Sequence, residues 1–240
     1  MPWLHRIFEG IFFFLKSIIH LLYPDVCLHC HRELTIKTPF LCYGCLSKME
    51  LVKWRKKEAH HLLEQAILGS KIIESCVLFN FERDSPVQTV IHQIKYKFNR
   101  SAAVYFGALL GQQYFALHSK AEFDVLIPVP VHHNKRYDRG YNQSELIALG
   151  ISSVIGVPVG NNLLKKTKNT KSQTKLSKEE RKENTKGTFS VSDKIIEHST
   201  VAIVDDVITT GATLNSICEI LVKKNENLQI TIFSLAIANT

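Results

Sequence analysis

Two stretches of near-continuous apolar residues end in polar punctuation. Residues 124–130 read DVLIPVP, and residues 200–206 read TVAIVDD. Runs of this length, rich in β-branched residues and bounded by prolines or acids, predict strands buried on both faces. Residues 76–82 (CVLFNFE) and 229–237 (QITIFSLAI) read the same way, and residues 189–191 make a short strand. Between the strands the apolar period lengthens to that of a helix. Residues 85–117 give two helices divided near Asn99 and Arg100, while residues 141–155 and 212–223 give one each. Residues 46–69 also read as helix, with Lys53, Arg55, Lys56 and Lys57 beside Trp54. Strands alternating with helices predict an α/β fold, a mostly parallel sheet covered by helices on both faces.

Nearer the N-terminus, Ile7, Phe8, Ile11, Phe12, Leu15, Ile18, Ile19 and Leu22 fall on one helical stripe. Glu9, Lys16 and His20 interrupt the surrounding apolar run. The uninterrupted part, residues 11–15, is too short for a secretory core and is followed by no small-residue cleavage site. The run is also too short and too charged to span a bilayer. An amphipathic helix is expected, which packs on its own domain or docks on a membrane surface or a partner. Off the stripe, Phe13 and Phe14 favour docking. The expected division is an N-terminal region, residues 1–69, and a larger α/β domain, residues 70–240. Residues 163–186 show no apolar period. Within them, residues 165–186 hold eight lysines and one arginine against three glutamates, which suits a loop facing an anion.

Composition narrows the classes. With 45% hydrophobic and 22% charged residues among 240, the chain is too apolar to be disordered. A net charge of +8 suits an anionic partner, whether nucleotide, nucleic acid or membrane surface, without choosing among them. Four of the six cysteines are bunched as two CxxC knuckles, Cys27 with Cys30 and Cys42 with Cys45. Two knuckles complete a tetrahedral S₄ site with no open position, which predicts a structural zinc ion stabilising a segment too small to hold itself. His29 and His31 are expected to be bystanders. The stretch from Cys27 to His31 also matches a haem-attachment pattern, but the second knuckle and the absence of a leader sequence argue against haem. Cys76 and Cys218 lie in apolar surroundings, as core residues do. This cysteine usage predicts a reducing, cytoplasmic setting.

Residues 201–213, VAIVDDVITTGAT, hold more polar equipment than a turn requires. In parallel α/β sheets ligands bind beyond the carboxyl ends of strands. Asp205 and Asp206 sit at such an end, and the loop then enters a helix whose free N–H groups and dipole suit a phosphate. Gly211 permits close backbone approach, and Thr209, Thr210 and Thr213 add hydroxyls. No Walker A spacing is present. Adjacent carboxylates can accept hydrogen bonds from vicinal ribose hydroxyls, so the pattern suits a ribose 5-phosphate.

The DDxxTTGAT pattern after an apolar run resembles the phosphoribosyl pyrophosphate (PRPP) motif of type I phosphoribosyltransferases. One branch is indicated more narrowly, the ComF/GntX-type proteins associated with competence and DNA uptake. The chain is similar to that branch in its CxxC module, in Ile94-Lys95-Tyr96-Lys97, in Pro128-Val129-Pro130, in Arg139-Gly140-Tyr141-Asn142-Gln143, and in a downstream Gln173, Arg181 and Asn184. The resemblance implies that Asp205 and Asp206 hold the ribose hydroxyls and that Thr209, Thr210, Gly211, Ala212 and Thr213 wrap the 5-phosphate. It implies a pyrophosphate loop after Pro130, and roles for Lys95 and Arg139 at the ligand, with Asp205, Asp206 and Arg139 as the catalytic set; the residues themselves agree, since Lys135, Arg136 and Arg139 lie just past a strand end, where cations could meet pyrophosphate. A flexible loop containing Gln173 and Arg181 would close over pyrophosphate, and Mg²⁺ would bridge the ligand oxygens. Where the family places an arginine before that loop, this chain offers Lys165 and Lys166. The implied chemistry is displacement of pyrophosphate at ribose C1 by a nitrogen nucleophile, with the acceptor open. A second reading, a non-catalytic protein that handles single-stranded DNA and uses the ribose-phosphate pocket for binding or sensing, with other competence proteins as partners, draws on the positive charge, the Trp54 cluster and the CxxC module.

Overall fold

A computed structural model describes residues 24–34, 38–53, 71–167, 188–197 and 199–238. The expected N-terminal amphipathic helix, Trp54 with the basic residues after it, the boundary at residue 69, and Gln173, Arg181 and Asn184 all lie outside these residues. The chain divides into two compact units, Met1–Met49 and Glu50–Thr240.

In the first unit, residues 28–30 make a turn closed by a bridge between Val26 and Glu33. A single helical turn, α1 (Tyr43–Leu46), follows directly after Cys42.

The larger unit is built on strands β1 (Ile72–Phe81), β2 (Val125–Pro128), β3 (Leu164–Lys166), β4 (Phe189–Val191), β5 (Thr200–Ile208) and β6 (Gln229–Ala238). Four of these form a parallel sheet in the order β1-β6-β5-β2, and β3 pairs antiparallel with β4. The helices are α2 (Pro86–Tyr96), α3 (Arg100–His118), α4 (His133–Arg139), α5 (Gln143–Ile155) and α6 (Ala212–Lys224). Each expected break has a local cause. The Ser85 side chain caps α2 by accepting from Gln88 N–H, and Asn99 caps α3 by accepting from Ala102 N–H. Between the two helices, Phe98 turns the chain with φ 56°.

Alternation along the strands sorts the two faces. Val201 and Ile203 of β5 and Ile230 and Ile232 of β6 pack with Ile217, Cys218 and Leu221 of α6. On the other face Phe233 meets Tyr114 and Phe123 edge-on, at 5.3 and 5.5 Å between ring centres. Helices α3 and α5 cover this side and approach backbone to backbone. A Cβ built on Gly107 would stand 2.3 Å from the Ile147 carbonyl oxygen, and one on Gly150 would stand 2.1 Å from that of Val104. Only glycine fits at either position.

Two expectations need correction, and one helix was not expected. Residues 46–69 do not continue as a helix in their described part, because Ser47 and Lys48 turn and Leu51 bridges Phe79 of β1. As the sheet's edge strand, β1 offers unpaired backbone groups. Val52 N–H donates to the Leu78 carbonyl, and Asn80 N–H donates to the Glu50 carbonyl. The helix expected from residue 141 begins at Gln143, capped by Asn142. Before it stands α4, which the hydrophobic pattern gave no sign of. Its sequence, HNKRYDR, has no apolar stripe, and caps hold it: His132 Nδ1 at the start and left-handed Gly140 at the end.

Candidate functional site

Strand β5 outruns its neighbour β2. Pro128 pairs with Val204, and Val129 N–H still donates to the Val204 carbonyl, but Pro130 brings no N–H. On that side the Asp205 and Asp206 positions are therefore unpaired and open into a crevice, the usual ligand position in a parallel sheet. The strand continues through Val207 and Ile208, which pair with Ala236 and Ile237 of β6, so the acids sit on a two-residue-longer strand than their pattern indicated.

A cleft of about 460 Å³ forms there. It is lined by Asp205, Asp206, Val207, Thr209 and Thr213, by Lys135, Arg139, Ser144 and Lys166, and by Phe81 with Gln88, Ile91, His92, Lys95 and Tyr96 of α2. Beside the acids is a small hollow lined by Asp205 and the residues from Val207 through Leu214. Thr210, Gly211 and Ala212 thus line the hollow, whereas Thr209 and Thr213 line both spaces. Helix α6 starts at left-handed Gly211 (φ 68°) without a side-chain cap, which leaves first-turn N–H groups for an anion.

The acids are organised before any ligand arrives. Asp206 Oδ1 is 3.0 Å from Lys95 Nζ. Asp205 Oδ1 accepts from the Asp206 N–H at 2.9 Å and from the Ser144 hydroxyl at 3.3 Å. Burial, followed by the adjacent Asp206 charge, pushes the Asp205 carboxyl up to about 7, against the pull of Lys95 and Ser144. Burial works against the charge on Lys95, yet Asp206 and Asp205 hold its pKa above the usual lysine value. Burial and the nearby Lys135 depress Lys166, with Asp205 opposing. Lys166 also lies over the Phe189 ring at 5.4 Å, and Arg139 lies over the Tyr96 ring at 5.2 Å.

The fold therefore brings Asp205, Asp206, Lys95, Arg139 and the Thr-Gly loop to one crevice. Lys135 joins them, whereas Arg136 turns to Glu145 at 3.3 Å. Of the lysines standing where an arginine was expected, Lys166 lines the cleft. Ser144, Gln88 and His92 escaped the sequence reading. Ser144 abuts the motif that ends at Gln143, and Gln88, His92, Lys95 and Tyr96 recur at helical spacing on α2, a legible signal had polar stripes been followed as closely as apolar ones.

In the smaller unit the Sγ atoms of Cys27, Cys30, Cys42 and Cys45 all lie within 4.8 Å of one another, and Cys30 and Cys42 are 3.5 Å apart. Tetrahedral zinc with Zn–S near ~2.3 Å requires sulfur separations of about 3.8 Å. None of the four is in a disulfide. Burial works to raise the Cys27 pKa, but backbone hydrogen bonds from Cys30, Cys42 and His29 bring it down to about 6. Burial, followed by the neighbouring cysteines, pushes Cys45 up to about 12. Deprotonated, four sulfurs in so small a volume repel one another, and a cation at their centre relieves that repulsion. The cluster is compatible with a structural metal ion, and no histidine among the described residues belongs to it.

Comparison with known proteins agrees with this geometry. Residues 133–238 match the phosphoribosyl transferase domain model, from α4 through the acid pair to the last strand. Competence protein F of Haemophilus influenzae is 30% identical over 227 residues, which is 85% of this chain and 94% of that protein. Competence protein ComFC of Bacillus subtilis is 22% identical over 233 residues, 88% of this chain and 94% of its own. The DNA utilization protein YhgH of Escherichia coli K12 is 29% identical over 143 residues, 58% of this chain and 62% of its own. A phosphoribosyltransferase fold, a four-cysteine module ahead of it and a relative matched along almost its full length converge on one conclusion: the chain belongs to the ComF family of competence proteins, within the phosphoribosyltransferase superfamily.

Proposed function

We propose that this protein binds PRPP with Mg²⁺ in the crevice at the end of β5, and that it serves DNA uptake in natural transformation. The observation that carries the ligand reading is the Asp205–Asp206 pair, open beyond β2, with an uncapped helix N-terminus on one side and Lys135, Arg139 and Lys166 on the other. The acids accept the ribose 2- and 3-hydroxyls, the 209–213 loop takes the 5-phosphate, and the cations take pyrophosphate. Lys95 already occupies Asp206 Oδ1, so the acids would offer Mg²⁺ little direct coordination, and the ion would supply charge neutralisation for the pyrophosphate. If the protein turns over, a nitrogen nucleophile displaces pyrophosphate at C1, while Arg139 stabilises the departing charge. DNA uptake is supported by the names of the relatives, competence proteins and DNA utilization proteins. Zinc is the ion proposed for the cysteine cluster. The free thiols fit a reducing cytoplasm, and no helix among the described residues is long and apolar enough to cross a membrane.

Calorimetric titration with Mg²⁺-PRPP tests the reading. Wild type should bind in the micromolar range, while Asp205→Asn combined with Asp206→Asn should lose at least about 3 kcal/mol of affinity, as buried charge-assisted hydrogen bonds do. No PRPP binding by wild type would falsify the proposal.

One observation favours a second reading. Tyr96, Phe98 and Tyr137 are exposed at 57%, 62% and 90%, beside Lys97, Arg136 and Arg139. Exposed rings among cations suit stacking of unpaired bases, with binding that weakens as salt rises. Salt-sensitive single-strand binding that survives loss of both aspartates, together with PRPP binding without pyrophosphate release, would favour it.

A further inference from the structure

The four cysteines of the first unit are not equivalent. Cys27 and Cys45 are buried, whereas Cys30 is exposed and Cys42 half-buried. Each CxxC knuckle therefore pairs one sheltered sulfur with one that a small solute can reach. The Cys27 sulfur also accepts from the backbone N–H groups of Cys30, Cys42 and His29. Those hydrogen bonds draw on the electron pairs that an attacking sulfur would use, so burial and hydrogen bonding together quieten Cys27. The two reachable sulfurs come from different knuckles and stand 3.5 Å apart. A disulfide needs about 2.05 Å between sulfurs, so this pair has only about 1.5 Å to close. The backbone beside them is already tied across the knuckles, since Leu28 N–H donates to the Phe40 carbonyl at 2.8 Å.

We propose that Cys30 and Cys42 form a peroxide-reactive site, at which oxidation replaces the metal ion's cross-link by a Cys30–Cys42 disulfide. The inference rests on the zinc reading above and goes beyond it, from what holds the module together to what removes that ion. In the first step the Cys30 sulfur attacks one oxygen of hydrogen peroxide. The O–O bond breaks, its electron pair leaves with hydroxide, and Cys30 becomes a sulfenic acid. The Cys42 thiolate then attacks the Cys30 sulfur, the S–S bond forms, and the sulfenic oxygen leaves as a second hydroxide. Two thiolates lose two electrons between them, and one peroxide is reduced to two hydroxides. Cys27 and Cys45 are left as two ligands, half of what a closed tetrahedral site requires. The new bond joins the same two chain segments that the ion joined, so the module keeps a cross-link and a dithiol reverses the exchange.

The test treats the full-length, zinc-loaded chain with hydrogen peroxide. A chromogenic chelator follows released zinc, and mass spectrometry of peptides maps the disulfides. Wild type should lose its zinc, the mapped bond should join Cys30 to Cys42, and Cys76 and Cys218 should stay reduced. Dithiothreitol with added zinc should restore the starting protein. Cys30→His keeps a fourth ligand, since three cysteines and one histidine also close a zinc site, but it lacks the attacking sulfur. It should release zinc at least about tenfold more slowly than wild type, because oxidation follows the exposed thiolate. Cys45→His changes a sheltered position, and should still form the Cys30–Cys42 bond and lose zinc at close to the wild-type rate. A bond mapped within one knuckle, zinc kept by wild type under peroxide, or equal release from Cys30→His overturns the inference while leaving the zinc reading intact. Where a histidine variant holds no metal, the bond mapped in wild type decides alone. A purified chain that carries no zinc and takes none up overturns both.

Discussion

Asp205 shows how a ligand site is held against folding stability. Its carboxyl stands near 7, well above the ordinary value of 3.8, chiefly because burial disfavours its charge. An acid with a raised folded pKa is protonated more readily folded than unfolded, so between about pH 4 and 7 the native state binds the extra proton and stability falls as pH rises. Asp205→Asn removes that dependence and can keep the Asp206 N–H and Ser144 hydroxyl as partners through its amide oxygen. The variant should melt at least about 2 °C higher than wild type at pH 8. The gap should close toward pH 4, while PRPP affinity is lost. Differential scanning calorimetry across that range checks it, and an equal or lower Tm at pH 8 would contradict it. The acids were visible in sequence because two carboxylates at a strand end exceed what a turn uses. Their coupling to Ser144 and Lys95 was not, since it depends on chain segments far from residue 205 meeting at one crevice.

At the scale of elements, the site depends on how closely α5 lies against α3. Helix α5 delivers Ser144 from its first turn, and Asn142 just before it caps that turn and donates to the Val129 carbonyl at 3.0 Å. Alanine at Gly150 would put a methyl against the backbone of α3, and alanine at Gly107 would meet α5 in the same way. Each substitution should cost about 1–3 kcal/mol as the helices part. Urea denaturation should show that loss, and a weaker Mg²⁺-PRPP titration should accompany it because Ser144 moves with the helix. Helix and strand identities were largely legible, since long apolar runs and amphipathic periods dominate β1, β5, β6, α2 and α3. What escaped was held by something other than an apolar face. Helix α4 lives on its caps, and residues 50–52 are drawn extended by a sheet edge. The polar face of α2 was legible only as spacing, because its meaning depends on what it faces.

For the molecule as a whole, six cysteines should fall into two reactive classes. With metal bound, the thiol reagent DTNB should find few reactive groups. A strong zinc chelator should release one metal per chain and expose the four cysteines of the cluster. Cys76 and Cys218, buried in the larger unit with pKa values raised mainly by burial, should stay silent until denaturant unfolds it. Six thiols reacting together without chelator would refute the metal assignment.

The short extended segment beside β1 has a consequence for solubility. Through Leu51 and Val52 it occupies the Leu78 carbonyl on a strand that would otherwise end the sheet with open valences. A bare edge of that kind templates pairing with a second molecule. Val52→Pro deletes the donor while leaving the cleft untouched. In the full chain it should turn a monodisperse solution into one whose light scattering climbs with concentration, even as dilute protein still binds PRPP. Residues 50–52 thus act as a selvedge, keeping the sheet from unravelling into its neighbours.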